Sequence, residues 1–148
     1  AIMVRAIADT MAELDPDNGG AYLSNAESYI LQLNALDNEI TASLADMQNK
    51  KIIVYHPAFG YLADDYGFEM FALEEEGKEA TAEHLAGMID LAKAENIKVI
   101  FYQEEIDSSQ SAAFAQELGG VSVKLSPLSA DYINNLKAMA AAISGAME

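Results

Sequence analysis

The chain has 148 residues, and its 24 acidic and eight basic residues give a formal net charge of −16. Nucleic-acid binding requires positive charge that releases counterions from the phosphates, so this charge argues against DNA and RNA as partners. It disfavours binding to anionic membrane surfaces for the same reason. Hydrophobic residues make up 51% of the sequence and recur in short periodic groups, a pattern typical of a globular protein. The absence of cysteine excludes disulfide frameworks, thiolate zinc sites, iron–sulfur clusters and cysteine nucleophiles.

The N-terminal part of the chain is predicted to form two helices. Apolar residues recur at helical spacing up to Leu14, where Asp15-Pro16-Asp17 ends the first helix. Gly19-Gly20 is interpreted as a turn between helices. A second apolar stripe then predicts one helix of roughly 26 residues, about 40 Å long, ending near Met47; its residues are Tyr22, Ala26, Tyr29, Leu33, Leu36 and Ile40. Either a short coiled-coil seam or a strut between two lobes would explain so long a helix.

From Lys51 onward the pattern changes to short apolar runs that alternate with helical segments. The predicted strands are Ile52–Tyr55, Glu69–Leu73, Ile97–Tyr102 and Val121–Leu125. The predicted helices are Ala58–Tyr66, a helix from the N-cap Thr81 to Asn96, one from Ser108 or Ser109 to Leu118, and one over about Ala130–Ile143. This alternation indicates an α/β fold, in which a four-stranded parallel sheet carries helices on both faces and is preceded by the long helix. We expect the strand order 2-1-3-4.

His56 follows the first predicted strand, and Gln103-Glu104-Glu105 closes the third. In an open parallel sheet, ligands bind beyond the carboxyl ends of the strands, where the strand order reverses. With the order 2-1-3-4 the reversal lies between strands one and three, so His56 and Gln103 would flank one crevice. A neutral imidazole is a natural ligand for zinc or manganese. A structural histidine explains the position equally well at this point.

The remaining candidate groups favour structural or solvated roles. His84 precedes Leu85 on an amphipathic helix, so a solvated histidine is the preferred interpretation. The run Glu74-Glu75-Glu76 could chelate a hard cation, but consecutive side chains on an extended turn diverge, and a solvated turn is predicted instead. The sequence contains no G-x-S-x-G, P-loop or G-x-G-x-x-G motif. These observations argue against an enzyme.

Several motifs, in order along nearly the whole chain, together resemble one known family. Tyr55-His56-Pro57-Ala58-Phe59-Gly60-Tyr61 is similar to that family's most specific motif, a histidine or glutamate followed by Ala-Phe-x-Tyr. Asp15-Pro16-Asp17-Asn18 resembles the segment that leads into its bridging helix. Glu76-Gly77-Lys78-Glu79 resembles its Gly-Lys-Glu-Pro-Ser turn, although Ala80 stands where proline is common. The family is the metal-binding solute-binding proteins of ABC importers for zinc and manganese, also described as adhesin-type lipoproteins.

The resemblance implies two α/β lobes joined by a rigid helix, with the metal between them. In this family the N-terminal lobe supplies two histidines, and the C-terminal lobe supplies one histidine or glutamate and sometimes an aspartate. His56 matches the C-terminal histidine, and Asp131 is the one candidate for the aspartate, although Ser129 or Ala130 falls nearest to its position. Histidine at position 56 favours Zn²⁺ over the alternative Mn²⁺. Residues 1–48 would then contain the bridging helix, and residues 49–148 would form the C-terminal lobe.

The function that the resemblance implies is to bind a divalent transition metal ion and deliver it to the membrane permease of an ABC importer. The segment Ala1–Arg5 lacks a secretory signal, so we expect the numbering to begin partway through a longer protein, with the missing N-terminal lobe as a partner. The implied location is periplasmic or extracellular, with a lipid anchor to the cell envelope. The alternative is an adhesion or interaction module that keeps the fold without metal capture.

Overall fold

The computed structural model describes residues 1–74, 78, 80–104 and 109–147, without the side chain of residue 147. The chain forms two compact units, Ala1–Ala42 and Ser43–Glu148. Within the described ranges, no helix combines the length and the hydrophobicity that are needed to cross a lipid bilayer.

The first unit contains helix α1 (Ile2–Leu14), a 3-10 turn (Pro16–Asn18) and most of helix α2 (Gly19–Leu44). Helix α2 has the predicted 26 residues but begins and ends three residues earlier than expected. The interpretation of Gly19-Gly20 as the turn between helices is wrong, because both glycines lie inside the first turn of α2. The chain reverses at Pro16–Asn18 instead. Gly19 packs closely against α1, since a Cβ at this position would lie 3.3 Å from the Cβ of Ala12.

Asp15 closes the corner between α1 and α2. Its Oδ2 atom accepts hydrogen bonds from Tyr22 Oη at 2.7 Å and from Asn18 Nδ2 at 2.9 Å. These bonds, first that of Asn18 and then that of Tyr22, lower the pKa of the Asp15 carboxyl group. The same contact with Asp15 raises the pKa of the Tyr22 hydroxyl. The predicted apolar stripe of α2 is also present, with Ala26, Leu36 and Ile40 buried.

The second unit contains a four-stranded parallel sheet in the order β2-β1-β3-β4, which confirms the predicted order. The strands are β1 (Lys51–Val54), β2 (Glu69–Ala72), β3 (Val99–Gln103) and β4 (Val121–Leu125). The helices are α3 (Gly60–Tyr66), α4 (Ala82–Ala94), α5 (Ser109–Glu117) and α6 (Tyr132–Met147). The strands and helices alternate along the chain as the sequence predicts, and most boundaries shift by one to three residues.

Local backbone chemistry explains where two of these helices begin and end. Gly67 follows α3 with φ +73°, a left-handed conformation that costs glycine little. Thr81 caps the start of α4, as predicted, because its side-chain oxygen accepts the backbone N–H of His84 at 3.2 Å.

The main hydrophobic core lies on one face of the sheet. Alternate residues of the central strands, among them Ile53 and Ile100, pack there with residues of α4 and α5 such as Met88 and Phe114. Ile52, Val54 and Phe101 are buried as well, and their alternating positions place them on the opposite face. Because the central strands are covered on both faces, their carboxyl ends are held in fixed positions.

Gly120 should not tolerate a side chain. A Cβ at this position would lie 1.9 Å from the carbonyl oxygen of Lys98, which accepts the N–H of Val121. We expect Gly120→Ala to lower the free energy of unfolding by about 1–3 kcal/mol or more, as overpacking does. Gly87→Ala is the matched control, because nothing lies within 4 Å of its Cβ position in α4. It should raise stability by about 0.5–1 kcal/mol. Urea unfolding measures both, and equal effects would contradict this packing.

The carboxyl group of Asp15 should titrate below its ordinary pKa because two donors stabilise its charged form. A depressed folded-state pKa contributes stability at pH values above the unfolded-state pKa, and this contribution is lost as the pH falls through the folded-state pKa. We expect Asn18→Ala to raise the Asp15 pKa towards its ordinary value by more than Tyr22→Phe does. The ¹³C shift of the Asp15 carboxyl group, followed by NMR against pH, measures this. A larger rise of the Asp15 pKa in Tyr22→Phe than in Asn18→Ala would contradict the expected ranking of the two hydrogen bonds.

Candidate metal centre

The register of three strands brings three polar residues to one edge of the sheet. Strand β1 pairs with β2 from Lys51↔Glu69 to Val54↔Ala72, and with β3 through Val54↔Phe101. Backbone hydrogen bonds extend both ladders past the assigned strands, because Glu74 N–H donates to Tyr55 and Tyr55 N–H donates to Phe101. Continuing the β1–β2 register by two residues past Val54↔Ala72 places His56 opposite Glu74. Continuing the β1–β3 register by two residues past Val54↔Phe101 places His56 opposite Gln103. The prediction that His56 and Gln103 share an edge is therefore confirmed.

His56 is held by a single carboxylate. Its Nδ1 atom lies 2.5 Å from Oε2 of Glu74. The His56 side chain is 38% exposed, whereas that of Glu74 is 11% exposed. Among the described residues, Glu74 is the one whose side chain hydrogen-bonds to His56. The ring is thus anchored through one nitrogen and still partly open to solvent.

The prediction of a solvated turn at Glu74-Glu75-Glu76 is wrong for Glu74, which is largely buried and bonded to His56. Glu75 and Glu76 lie outside the described residues, as does Glu105. The position of Glu74 relative to β2 corresponds to that of His56 relative to β1. Glu74 is five residues beyond the first residue of β2, just as His56 is five beyond the first residue of β1. That match becomes visible only when the register is known.

His84 lies on α4 and has a structural role. Its Nε2 atom donates a hydrogen bond to the carbonyl oxygen of Ala72, the last residue of β2, at 3.0 Å. The side chain is half-buried and is not simply solvated as predicted. This bond ties the start of α4 to the end of β2 through the Nε2 atom of the ring.

Asp131 lies after β4 and directly before α6. It is exposed, and both of its carboxylate oxygens accept hydrogen bonds from Asn134 Nδ2, at 3.1 and 3.0 Å. Its backbone carbonyl also accepts the N–H of Asn135. These contacts are those of a residue at the start of a helix. The assignment of Asp131 as a metal ligand stays a prediction.

Charge near the ends of β3 and β4 is paired. Glu104 Oε1 accepts a hydrogen bond from Lys124 Nζ at 2.8 Å, and this contact lowers the pKa of the Glu104 carboxyl group. Both side chains are about half exposed. The Glu104 carboxylate is therefore paired with the Lys124 ammonium group at the surface.

The described residues supply only part of a metal-binding group. A tight zinc site takes three or four nitrogen, sulfur or oxygen ligands in tetrahedral geometry. Over residues 1–74, 78, 80–104 and 109–147, no three His, Cys, Asp or Glu side chains are grouped so that they could hold a metal ion. His56 can contribute one nitrogen, and other donors would have to come from elsewhere.

Comparison with known proteins identifies the family of the chain. Residues 1–146 match the family described as ZnuA, zinc-uptake complex component A, periplasmic. The chain is 32% identical over 128 residues to the zinc-binding protein AdcA of Streptococcus pyogenes. That alignment covers 85% of this chain and 25% of the relative, so the chain spans about a quarter of this relative's length.

Solved structures agree with the sequence comparison. A crystal structure of ZnuA superimposes with a TM-score of 0.93 at 37% identity, over 96% of this chain and 54% of that one. The laminin-binding protein Lbp of Streptococcus pyogenes superimposes with a TM-score of 0.85 at 26% identity, over 96% of this chain and 58% of that one. The chain therefore belongs to the ZnuA family of periplasmic zinc-uptake components, which are metal-binding solute-binding proteins.

Proposed function

We propose that this chain is the C-terminal part of a protein that captures Zn²⁺ and delivers it to the permease of an ABC importer. In this proposal His56 is the zinc ligand from the chain, and the remaining donors come from an N-terminal lobe of the longer protein. Membership of a zinc-uptake family supports Zn²⁺ as the ion that is captured. The observation that carries the proposal for this chain is the position of His56.

His56 has the features that a zinc ligand at a lobe surface requires. It lies at the carboxyl end of the central strand β1, beside the point where the strand order reverses between β1 and β3. Its ring is 38% exposed, so a second lobe or a metal ion can reach it. By contrast, His84 uses Nε2 to bond the end of β2. The two histidines of the chain therefore differ in their availability.

The donor chemistry favours zinc over manganese. Imidazole nitrogen suits zinc, whereas carboxylate-rich oxygen sites suit manganese. Glu74 could have supplied a carboxylate at this edge, but it is bonded to the imidazole of His56. Asp131 is proposed as a further ligand, to be reached by a rearrangement that frees its carboxylate from Asn134. Its replacement by alanine should have a smaller effect than that of His56.

A periplasmic or extracellular location follows from the same proposal, because capture must occur outside the membrane that the importer crosses. We propose in addition that the longer protein carries a lipid anchor, as the name of the zinc-binding lipoprotein AdcA of Streptococcus pneumoniae indicates for that relative. The alternative function is adhesion without metal capture. The structural similarity to the laminin-binding protein Lbp supports keeping this candidate. Adhesion that depends only on the fold would survive the replacement of His56, whereas metal capture would not.

The chain by itself should bind zinc weakly. One anchored imidazole and one exposed carboxylate give little chelate effect, so we expect a dissociation constant of about 10 μM or weaker, equivalent to about −7 kcal/mol or less favourable. Isothermal titration calorimetry of the 148-residue chain with Zn²⁺ measures this value. Nanomolar affinity would mean that the chain contains a complete site and that the proposal of shared ligands is wrong.

In the longer protein that also contains the N-terminal lobe, His56→Ala should weaken zinc binding by about tenfold or more, because removal of a ligand leaves an open coordination position. His84→Ala is the matched control and should change zinc affinity very little, since its ring bonds Ala72. Competition titration with a zinc chelator measures both constants. Equal losses from the two substitutions would show that the site is placed wrongly.

A further inference from the structure

We propose that Glu74 is a positioning residue for zinc capture, which fixes the His56 imidazole in the Nδ1–H tautomer and so presents Nε2 as the metal donor. This inference rests on the proposed function, because it assigns Glu74 a role at the same site. It adds a residue that does not touch the metal ion.

The fold places Glu74 beside His56 with little freedom. The β1–β2 ladder continues beyond both strands through the bonds Leu73 N–H to Val54 and Glu74 N–H to Tyr55, each 2.9 Å long. Neighbouring strands lie about 4.8 Å apart, and residues at the same register position carry their side chains on the same face. A glutamate side chain at this register position can therefore reach the imidazole. The contact arises from the sheet and does not require a flexible loop.

The hydrogen-bond chemistry selects the tautomer. A carboxylate only accepts hydrogen bonds, so the imidazole nitrogen at 2.5 Å from Glu74 must carry the proton. In a neutral ring the other nitrogen, Nε2, then carries the lone pair that a metal ion needs. Metal-binding histidines generally donate their second ring N–H to a carboxylate, a carbonyl or water, and this bond fixes the orientation of the ring. The contact between Glu74 and His56 is a bond of this kind.

Burial strengthens the bond between Glu74 and His56, and it affects the carboxylate more than the ring. The carboxylate side chain is 11% exposed, while the ring is 38% exposed. A largely buried carboxylate is costly unless it is hydrogen-bonded, so Glu74 holds its donor tightly. Part of the His56 ring remains exposed, so the ring is still accessible to a metal ion. An ion pair between two fully exposed side chains contributes little stability and would not hold the imidazole ring in one orientation.

The two histidines provide an internal test. His84 donates from Nε2 to a carbonyl oxygen, so it should have the opposite tautomer to His56. Long-range ¹H–¹⁵N correlation spectra of the labelled, metal-free chain in alkaline buffer distinguish the two forms. We expect His56 as Nδ1–H and His84 as Nε2–H. In Glu74→Ala, His56 should lose its Nδ1–H preference, while the spectrum of His84 stays unchanged.

Two further variants separate positioning from folding. Glu74→Gln keeps the size of the side chain and one accepting oxygen, so it should fold and retain part of the tautomer preference even if Glu74→Ala is unstable. Glu104→Gln is the control, since it makes the same change beyond the end of β3, where Glu104 pairs with Lys124. It should change neither the His56 tautomer nor zinc affinity.

Zinc affinity of the longer, two-lobed protein completes the test. Glu74→Ala should weaken Zn²⁺ binding by about 10–100-fold, in the range seen for such supporting carboxylates, with Glu74→Gln between it and the unsubstituted protein. An Nε2–H tautomer at His56 in the unsubstituted chain would overturn the inference. So would unchanged zinc affinity in both Glu74 variants while His56→Ala weakens binding. If His56→Ala itself has no effect, the proposed function fails, and the tautomer spectra show separately whether Glu74 orients the ring.

Discussion

Strand β1 lies between β2 and β3, and the parallel register that it keeps with both determines the geometry of the candidate site. A shift of β2 by one residue would turn Glu74 to the other face of the sheet and leave His56 without its carboxylate. The register is held by burial, because Ile52, Ile53 and Val54 are each at most 1% exposed. The hydrophobic core therefore positions His56 and Glu74, although neither residue belongs to the core.

The same arrangement explains why the two histidines have different chemistry. Both are close to the ends of β1 and β2, but His56 continues β1 whereas His84 belongs to α4. The helix directs His84 back to the carbonyl group of Ala72, where it stabilises the β2–α4 connection. His56 faces a carboxylate and keeps part of its ring exposed. The two rings differ in their hydrogen-bond partners, a carboxylate for His56 and a backbone carbonyl for His84, and residue type alone does not reveal this difference.

Sequence periodicity predicted most of the fold because the signals involved are local. The apolar stripe of α2, the cap at Thr81 and the left-handed end of α3 at Gly67 each depend on residues within a few positions. The error at Gly19-Gly20 has the same origin. Glycine pairs usually mark turns, but here Gly19 packs closely against Ala12. The two residues are too far apart in the sequence for a local pattern to predict this contact.

The α/β class, the strand order and the position of His56 at the end of a strand could be predicted from the amino-acid sequence, since alternating apolar runs and the end of a buried strand are visible along the chain. The burial of Glu74 against His56 became apparent only in the folded chain, because a run of three glutamates in the sequence resembles a solvated turn. The tertiary structure also decided that Asp131 bonds Asn134 and that His84 bonds Ala72. The physical reason is that hydrogen-bond partners such as His56 and Glu74, 18 residues apart, are chosen by strand register, which is set by packing across the whole sheet.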